Sequence, residues 1–66
     1  MRRLVKLGIA IGTGLEGAVH SHTRRALAES ITPEEIRHAV LLAMTTVGVP
    51  RTMAALRWVN DLLESE

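Results

Sequence analysis

The chain has 66 residues, of which 47% are hydrophobic, and its 8 Lys and Arg against 7 Asp and Glu give a net charge of +1. Phosphate neutralisation needs a much stronger basic excess, so we expect no nucleic acid partner. No apolar run approaches the roughly 20 residues that cross a bilayer, so we expect no membrane partner and a cytoplasmic protein. Because there is no cysteine, disulfides and cysteine zinc sites are excluded.

The hydrophobic residues are almost all aliphatic, because the chain has no Phe or Tyr and a single Trp. A chain of this length buries only about 60% of the surface that its unfolded form exposes, so a lone subunit would be marginally stable. Association of several copies would bury the remaining aliphatic surface. We therefore expect one domain, residues 1–66, that forms a homo-oligomer, and we expect no cofactor.

The first segment, residues 2–12, has an ambiguous pattern. The large aliphatic residues Val5, Leu7, Ile9 and Ile11 alternate with Lys6, Gly8 and Ala10. This period of two is typical of a strand. A helix is also compatible with the sequence, since Leu4, Gly8 and Ile11 would share a helical face. A single strand with no partner would leave its backbone groups unpaired, so we favour the helix.

A second helix is predicted from about Leu15 to Glu29. It follows a break at Gly12-Thr13-Gly14, where Thr13 or Gly14 lies near its start. One stripe of this helix is apolar except for a single histidine, and it consists of Leu15, Ala18, Val19, His22 and Ala26.

Another face of the second helix carries ionisable groups. Glu16, His20 and Arg24 follow one another at i, i+4 and i+8, a spacing at which neighbouring side chains can touch. His20 and His22 are roughly 200° apart around the helix axis. The two histidines are therefore expected to point in different directions.

The clearest local signal is Thr32-Pro33-Glu34-Glu35, a hydroxyl cap before a proline, with a glutamate that completes a capping box. The third helix is predicted to run from there to about Val47 and, being apolar over most of its girth, to be central. Gly48-Val49-Pro50 ends it, because glycine caps a helix and proline cannot continue one. A fourth helix, about Arg51 to Leu63, has two apolar faces that need two partners. The sequence therefore predicts an all-α fold of about four helices.

Three segments, in their order and spacing, resemble the carboxymuconolactone decarboxylase-like family, which includes the alkyl hydroperoxidase D group: EGAVHSHTRRAL at 16–27, TPEEI at 32–36 and GVP at 48–50. The resemblance covers nearly the whole chain, from about Leu4 to Leu63. It implies an alkyl hydroperoxidase D-like helical core, with the first segment helical, and a homo-oligomer that is commonly a trimer or hexamer. It also implies that this chain is a short member or a core fragment of the family.

The peroxidase branch of this family carries a Cys-x-x-Cys pair on the second helix, a histidine four residues later and a glutamate about three turns upstream. On this sequence the two cysteine positions are Leu15 and Ala18. The glutamate position is Arg3, and only the histidine, His22, matches. Peroxide reduction by that route needs a thiolate and a resolving thiol, so we expect no thiol peroxidase activity.

The decarboxylase branch needs no cysteine, and resemblance to it implies an acid–base lyase that decarboxylates a small lactone or carboxylic acid. The candidate catalytic residues are His22, His20 and Glu16. His22 would transfer protons at a pocket, and the alternative is a neutral core histidine bonded to the backbone. Glu16 would orient His20, and the alternative is an ordinary surface contact. Arg24 and Arg25 would bind the substrate carboxylate, with two solvated arginines as the alternative.

A metal site is a further alternative, because Glu16 and His20, like Glu34 and His38, have the i, i+4 spacing of helical metal ligands. Neither pair supplies three ligands, so a site would have to be completed across a subunit interface. We therefore predict no metal.

The alternative to an enzyme is a non-catalytic homo-oligomeric helical module, used for binding or assembly. Such a protein would have kept the family core after losing its redox residues. Convergence of His20, His22 and Glu16 on one solvent-reachable cavity in the assembled oligomer would favour the enzyme.

Overall fold

The computed structural model describes residues 2–64. Its elements are five helices: α1 (Arg2–Thr13), α2 (Glu16–Ala28), α3 (Pro33–Leu42), α4 (Met44–Val47) and α5 (Val49–Leu63). The all-α prediction is confirmed over this part of the chain, with four long helices and one single-turn helix. Residues 1, 65 and 66 of the predicted domain lie outside the described range. Between residues 2 and 64, no helix combines the length and the apolar character that crossing a membrane requires.

The first segment is a helix, as the resemblance and the backbone argument predicted. Its buried residues are Leu7, Ala10 and Ile11, which have the three- and four-residue spacing of one helical face. Val5 and Ile9, which belong to the strand-like alternation, are 53% and 62% exposed. The period of two was therefore misleading, because two of its four aliphatic residues, Val5 and Ile9, do not enter the core of the subunit.

The junction between α1 and α2 depends on a glycine. Gly14 has a φ of 73°, and its amide donates to the carbonyl oxygens of Ala10 and Ile11 at 3.1 Å each. A Cβ at this position would lie 2.8 Å from Nη1 of Arg51. That guanidinium donates to the carbonyl of Gly12 at 2.8 Å, so it satisfies a carbonyl at the end of α1.

The start of α2 is close to the predicted one but differs from it in detail. Its N-cap residue is Leu15, which makes no side-chain cap hydrogen bond. Leu15 is 60% exposed, although it belongs to the apolar stripe of the predicted helix. Thr13 instead donates its hydroxyl to Ala10 at 2.9 Å, so it belongs to the last turn of α1. The first turn of α2 is thus held by packing of its later residues and not by a local cap.

The capping box of α3 is present as predicted. The amide of Glu35 donates to Oγ1 of Thr32 at 3.1 Å, and the Thr32 amide donates to Oε1 of Glu35 at 2.9 Å. The hydrogen bonds from the Thr32 backbone and hydroxyl lower the pKa of the Glu35 carboxyl. Pro33 occupies the first helical turn, where its missing N–H costs nothing.

The length and position of the third helix differ from the prediction. It ends at Leu42, and Ala43 donates to Val40 at 3.1 Å, a tighter i to i−3 bond that separates α3 from α4. Three consecutive β-branched residues, 45–47, weaken the helix beyond this point. Leu41 and Leu42 are 49% and 66% exposed. α3 is therefore not the central helix, because only one of its faces is buried.

The Gly-Val-Pro segment begins α5 as well as ending α4. Gly48 has φ 89° and ψ 165°, a conformation that glycine adopts readily and other residues rarely adopt. α5 starts at Val49, two residues before the predicted start, because Pro50 is accommodated in its first turn. Thr52 is fully buried and donates its hydroxyl to the Gly48 carbonyl at 2.8 Å.

One hydrophobic core joins the four long helices. α1 packs chiefly along α2, and α5 packs against both α2 and α3. The fully or nearly fully buried apolar residues are Leu7, Ala10, Ile11, Val19, Ala26, Ile36, Val40, Ala55, Val59 and Leu63. Because α2 lies between α1 and α5, its two flanks face different helices.

Candidate functional site

The flank of α2 that faces α1 carries His22. Arg3 of α1 donates from Nη1 to Nδ1 of His22 at 2.9 Å. The same guanidinium also binds Oε2 of Glu29, with Nε at 3.3 Å and Nη2 at 3.2 Å. Arg3 is thus fixed between an imidazole and a carboxylate, and its side chain is only 16% exposed.

The surroundings of His22 favour its neutral form. Desolvation by burial lowers the pKa of His22, and the positive charges of Arg3, Arg25 and Lys6 lower it further. A guanidinium can only donate hydrogen bonds, so Nδ1 of His22 must be the acceptor. The hydrogen of the neutral ring is therefore on Nε2. His22 can offer this N–H to an acceptor, in a region of positive charge.

The flank of α2 that faces α5 carries His20. Nε2 of His20 lies 3.1 Å from Oδ2 of Asp61 in α5 and 4.0 Å from Oε2 of Glu16, one turn earlier in α2. The hydrogen-bond partner of His20 is therefore Asp61. The predicted neighbour Glu16 is close, but it lies beyond hydrogen-bond distance.

The structure brings some of the candidate residues together and separates others. Glu16 and His20 are neighbours, whereas His20 and His22 contact different helices, as the predicted separation of about 200° requires. Arg24 and Arg25, the predicted substrate-binding residues, are both exposed. Arg25 is near enough to His22 to lower its pKa, whereas Arg24 follows His20 by one helical turn.

Two open grooves lie on the surface of residues 2–64. The first, of about 640 Å³, adjoins the His20 side and is lined by Met53, Leu56, Arg57, Asn60, Asp61 and Glu64. The second, of about 420 Å³, lies between α1 and α3 and is lined by Leu4, Val5, Gly8, Glu35, His38, Ala39 and Leu42. Neither of these two grooves is lined by His22.

Comparison with protein families gives one match. The sequence model described as the carboxymuconolactone decarboxylase family matches residues 1–61 of the 66-residue chain. The chain belongs to the carboxymuconolactone decarboxylase family. No curated protein and no solved structure matches it. The resemblance found in the sequence is therefore confirmed at the level of the family.

In this member of the carboxymuconolactone decarboxylase family, the positions that match the upstream glutamate and the histidine of the peroxidase branch are in contact. The glutamate position is occupied by Arg3, and the matching histidine is His22. The 2.9 Å contact between them shows that the two positions meet in space, with a cation in place of the carboxylate.

Three residues that shape these surroundings were not among the sequence-predicted site residues: Arg3, Glu29 and Asp61. Arg3 was noted only because it occupies the position at which the peroxidase branch has a glutamate. Asp61 is 41 residues away from His20 along the chain, and no spacing rule connects residues in two different helices. Each charged residue could pair with several residues of opposite charge on the other predicted helices. Its actual partner is known only once the packing of the helices is known.

Proposed function

We propose that the chain is a small lyase, which decarboxylates a small lactone or carboxylic acid, and that the reaction takes place at His22. The observation that carries the proposal is the contact between Arg3 and Nδ1 of His22. It leaves a neutral imidazole with a free N–H, surrounded by positive charge from Arg3, Arg25 and Lys6. This combination suits an anionic substrate whose negative charge moves onto a carbonyl oxygen during the reaction.

The positive charges supply substrate attraction. Arg3 is already engaged by Glu29, so Arg25, which is exposed, is the guanidinium that can form two parallel hydrogen bonds to a substrate carboxylate. Lys6 adds charge without a fixed geometry. Of the two predicted substrate-binding arginines, Arg25 is therefore the one that belongs to this site, and Arg24 lies with His20.

The N–H of His22 would act on the substrate carbonyl. In a lactone acid, breaking the bond to the carboxylate releases carbon dioxide and leaves an electron pair that spreads onto the conjugated carbonyl oxygen. Nε2–H of His22 would donate to that oxygen and stabilise its growing charge, as a neutral imidazole can. Water then supplies the proton that replaces the lost carboxylate. The family name gives carboxymuconolactone as the substrate to test first.

The pocket for such a substrate would form between subunits. Between residues 2 and 64, seven large hydrophobic side chains are about half exposed or more: Val5, Ile9, Leu15, Leu41, Leu42, Val49 and Met53. So many apolar groups on a small surface support a homo-oligomer, for which the family resemblance suggests a trimer or hexamer. A neighbouring subunit would enclose His22 and exclude water from it.

The test is release of carbon dioxide from carboxymuconolactone by the purified protein. His22→Leu removes the side-chain N–H and is expected to lower kcat about a hundredfold, the usual effect of losing one preorganised donor. Arg25→Met is expected to raise KM. His38→Gln removes an exposed histidine of α3 and serves as the matched control that keeps activity.

His20 and Glu16 are tested in the same assay. Their predicted catalytic role requires that His20→Asn or Glu16→Gln lower kcat. Loss of activity in His20→Asn together with full activity in His22→Leu would move the reaction to the other flank of α2 and overturn this assignment.

The second candidate is the non-catalytic homo-oligomeric module. It is supported by the fact that neither described groove is lined by His22. A protein that light scattering shows to be a stable oligomer, but that releases no carbon dioxide from the lactone, would favour this module. Reduction of cumene hydroperoxide is expected from neither candidate, because the chain has no thiol.

A further inference from the structure

Three ligand atoms converge on the flank of α2 that faces α5. Nε2 of His20 lies 3.1 Å from Oδ2 of Asp61 and 4.0 Å from Oε2 of Glu16. One ligand atom from each of the three residues lies within 4.8 Å of the others. The third ligand therefore comes from the same chain, and completion across a subunit interface, which the sequence suggested, is not needed.

The two carboxylates at this cluster have no cationic partner from a basic side chain. Within residues 2–64, neither Glu16 nor Asp61 forms an ion pair with an arginine or lysine. Two anionic groups thus share one imidazole, and both are about half exposed, with side-chain exposures of 57% and 51%. A cation can reach them from solvent, and its charge would relieve the repulsion between them.

We propose that Glu16, His20 and Asp61 bind a divalent transition-metal ion, with Zn²⁺ as the best fit. Calcium and magnesium prefer sites made only of oxygen, whereas an imidazole nitrogen favours zinc and its neighbours in the first transition row. Imidazole nitrogen and carboxylate oxygen are both donors that zinc binds in proteins. Three protein ligands leave the fourth tetrahedral position for water.

The observed distances require only a small rearrangement. Ligand atoms bound to a tetrahedral zinc at about 2.1 Å lie about 3.4 Å from one another. The pair of His20 and Asp61, at 3.1 Å, is already near this separation. Glu16 has to approach from 4.0 Å, which rotation of an exposed side chain allows.

Metal binding moves one hydrogen at the cluster. In the metal-free protein, Nε2 of His20 donates its hydrogen to Oδ2 of Asp61. A metal ion on Nε2 takes the place of this hydrogen, which a neutral ring can carry on Nδ1 instead.

The proposed metal site is independent of the proposed lyase reaction. His22 contacts α1 and lies on the other flank of α2. The cluster of Glu16, His20 and Asp61 instead adjoins the groove of about 640 Å³. Asp61 lines this groove together with Arg57 and Asn60. A small ligand in that groove could occupy the open position of the metal.

The experiment is titration of the untagged full-length protein with Zn²⁺ by isothermal calorimetry, with amide chemical shifts recorded by NMR. We expect one ion per chain, with shifts concentrated in the first turns of α2 and the last turns of α5. His20→Asn and Asp61→Asn should each weaken binding roughly tenfold or more. His22→Gln should bind Zn²⁺ like the unmodified chain, which separates this proposal from the lyase proposal.

His38→Asn is the matched control, because His38 and Glu34 have the same i, i+4 spacing on α3 as His20 and Glu16 on α2. It should leave Zn²⁺ binding unchanged. The proposal is overturned if the unmodified protein binds no Zn²⁺, if Asp61→Asn binds as tightly as the unmodified protein, or if the shifts move to α3 and are lost in His38→Asn. Circular dichroism confirms that each variant is folded before it is titrated.

Discussion

His20 and His22 are separated by one residue in the sequence, yet their surroundings have opposite charge. His22 is bonded to Arg3 and lies near Lys6 and Arg25, so its neighbours are cationic. His20 lies between the carboxylates of Asp61 and Glu16, so its neighbours are anionic. The first flank of α2 therefore suits an anionic substrate, and the second suits a cation.

The difference arises from the helices on either side and not from α2 itself. Arg3 and Lys6 belong to α1, and Asp61 belongs to α5. A helix that is packed between two others presents each flank to a separate environment, so two identical side chains acquire different partners. Histidine reports this difference well, because small changes in its surroundings decide its charge near neutral pH.

The largest expected effect comes from the buried residue between the two flanks. Val19 is fully buried, and it holds α2 against the core. Val19→Ala is expected to lower the free energy of unfolding by about 2 kcal/mol, because it leaves a cavity. Urea denaturation at a fixed protein concentration measures this loss of stability.

Val49→Ala is the control, because Val49 is 54% exposed. It should change the free energy of unfolding by less than about 0.5 kcal/mol. A loss as large as that of Val19→Ala would show that another subunit covers Val49.

The cationic flank predicts a pH dependence of stability. The pKa of His22 is lowered in the folded chain from its usual 6.5. Below about that pH the unfolded chain binds more protons than the folded chain, so stability falls as the pH drops through this range and levels off below the folded pKa. The loss should be smaller in His22→Gln, measured by urea denaturation between neutral and mildly acidic pH. An unchanged pH dependence in His22→Gln would contradict the assignment.

The contact with Arg3 can be tested on its own. Arg3→Met removes a positive charge from His22, so the pKa of His22 should rise toward its usual value, as followed by NMR titration of the imidazole protons. Arg3→Lys keeps the charge but loses the guanidinium geometry and should raise the pKa less. If both variants leave the titration of His22 unchanged, the guanidinium does not act on the imidazole.

The smallest effect is expected on the anionic flank. Glu16 is exposed and 4.0 Å from His20 within one helix, so Glu16→Gln should change the free energy of unfolding by less than about 0.5 kcal/mol. Asp61→Asn, which alters the 3.1 Å hydrogen bond between two helices, should have the larger effect. The reverse order would mean that the helical neighbour, and not α5, holds His20.

Local signals in the sequence were sufficient for much of the fold. The capping box at Thr32 and Glu35 lies within four residues, and the hydrogen bonds that it predicts are formed. The break at Gly12-Thr13-Gly14 and the glycine at position 48 were located correctly, because a positive φ favours glycine whatever the tertiary context. The end of α3 at Leu42 was missed, because the apolar pattern continues through α4.

The candidate site was predictable only in part. His22 could be singled out from the family resemblance, whereas Arg3 was noted only as the position of a missing glutamate. The opposite directions of His20 and His22 follow from helical geometry alone. The charge around each histidine could not be deduced, because Arg3 and Asp61 reach α2 from helices that are distant in the sequence.

The sequence by itself determined the helical class, the family, the absence of a thiol and the presence of two histidines on opposite flanks of one helix. These properties depend on residue identity and on spacing within a few helical turns. Only the tertiary structure decided which histidine has cationic neighbours, which has carboxylate neighbours, and which aliphatic residues stay exposed. Electrostatic interactions act over a few ångströms of space, and helix packing, not sequence separation, sets those distances.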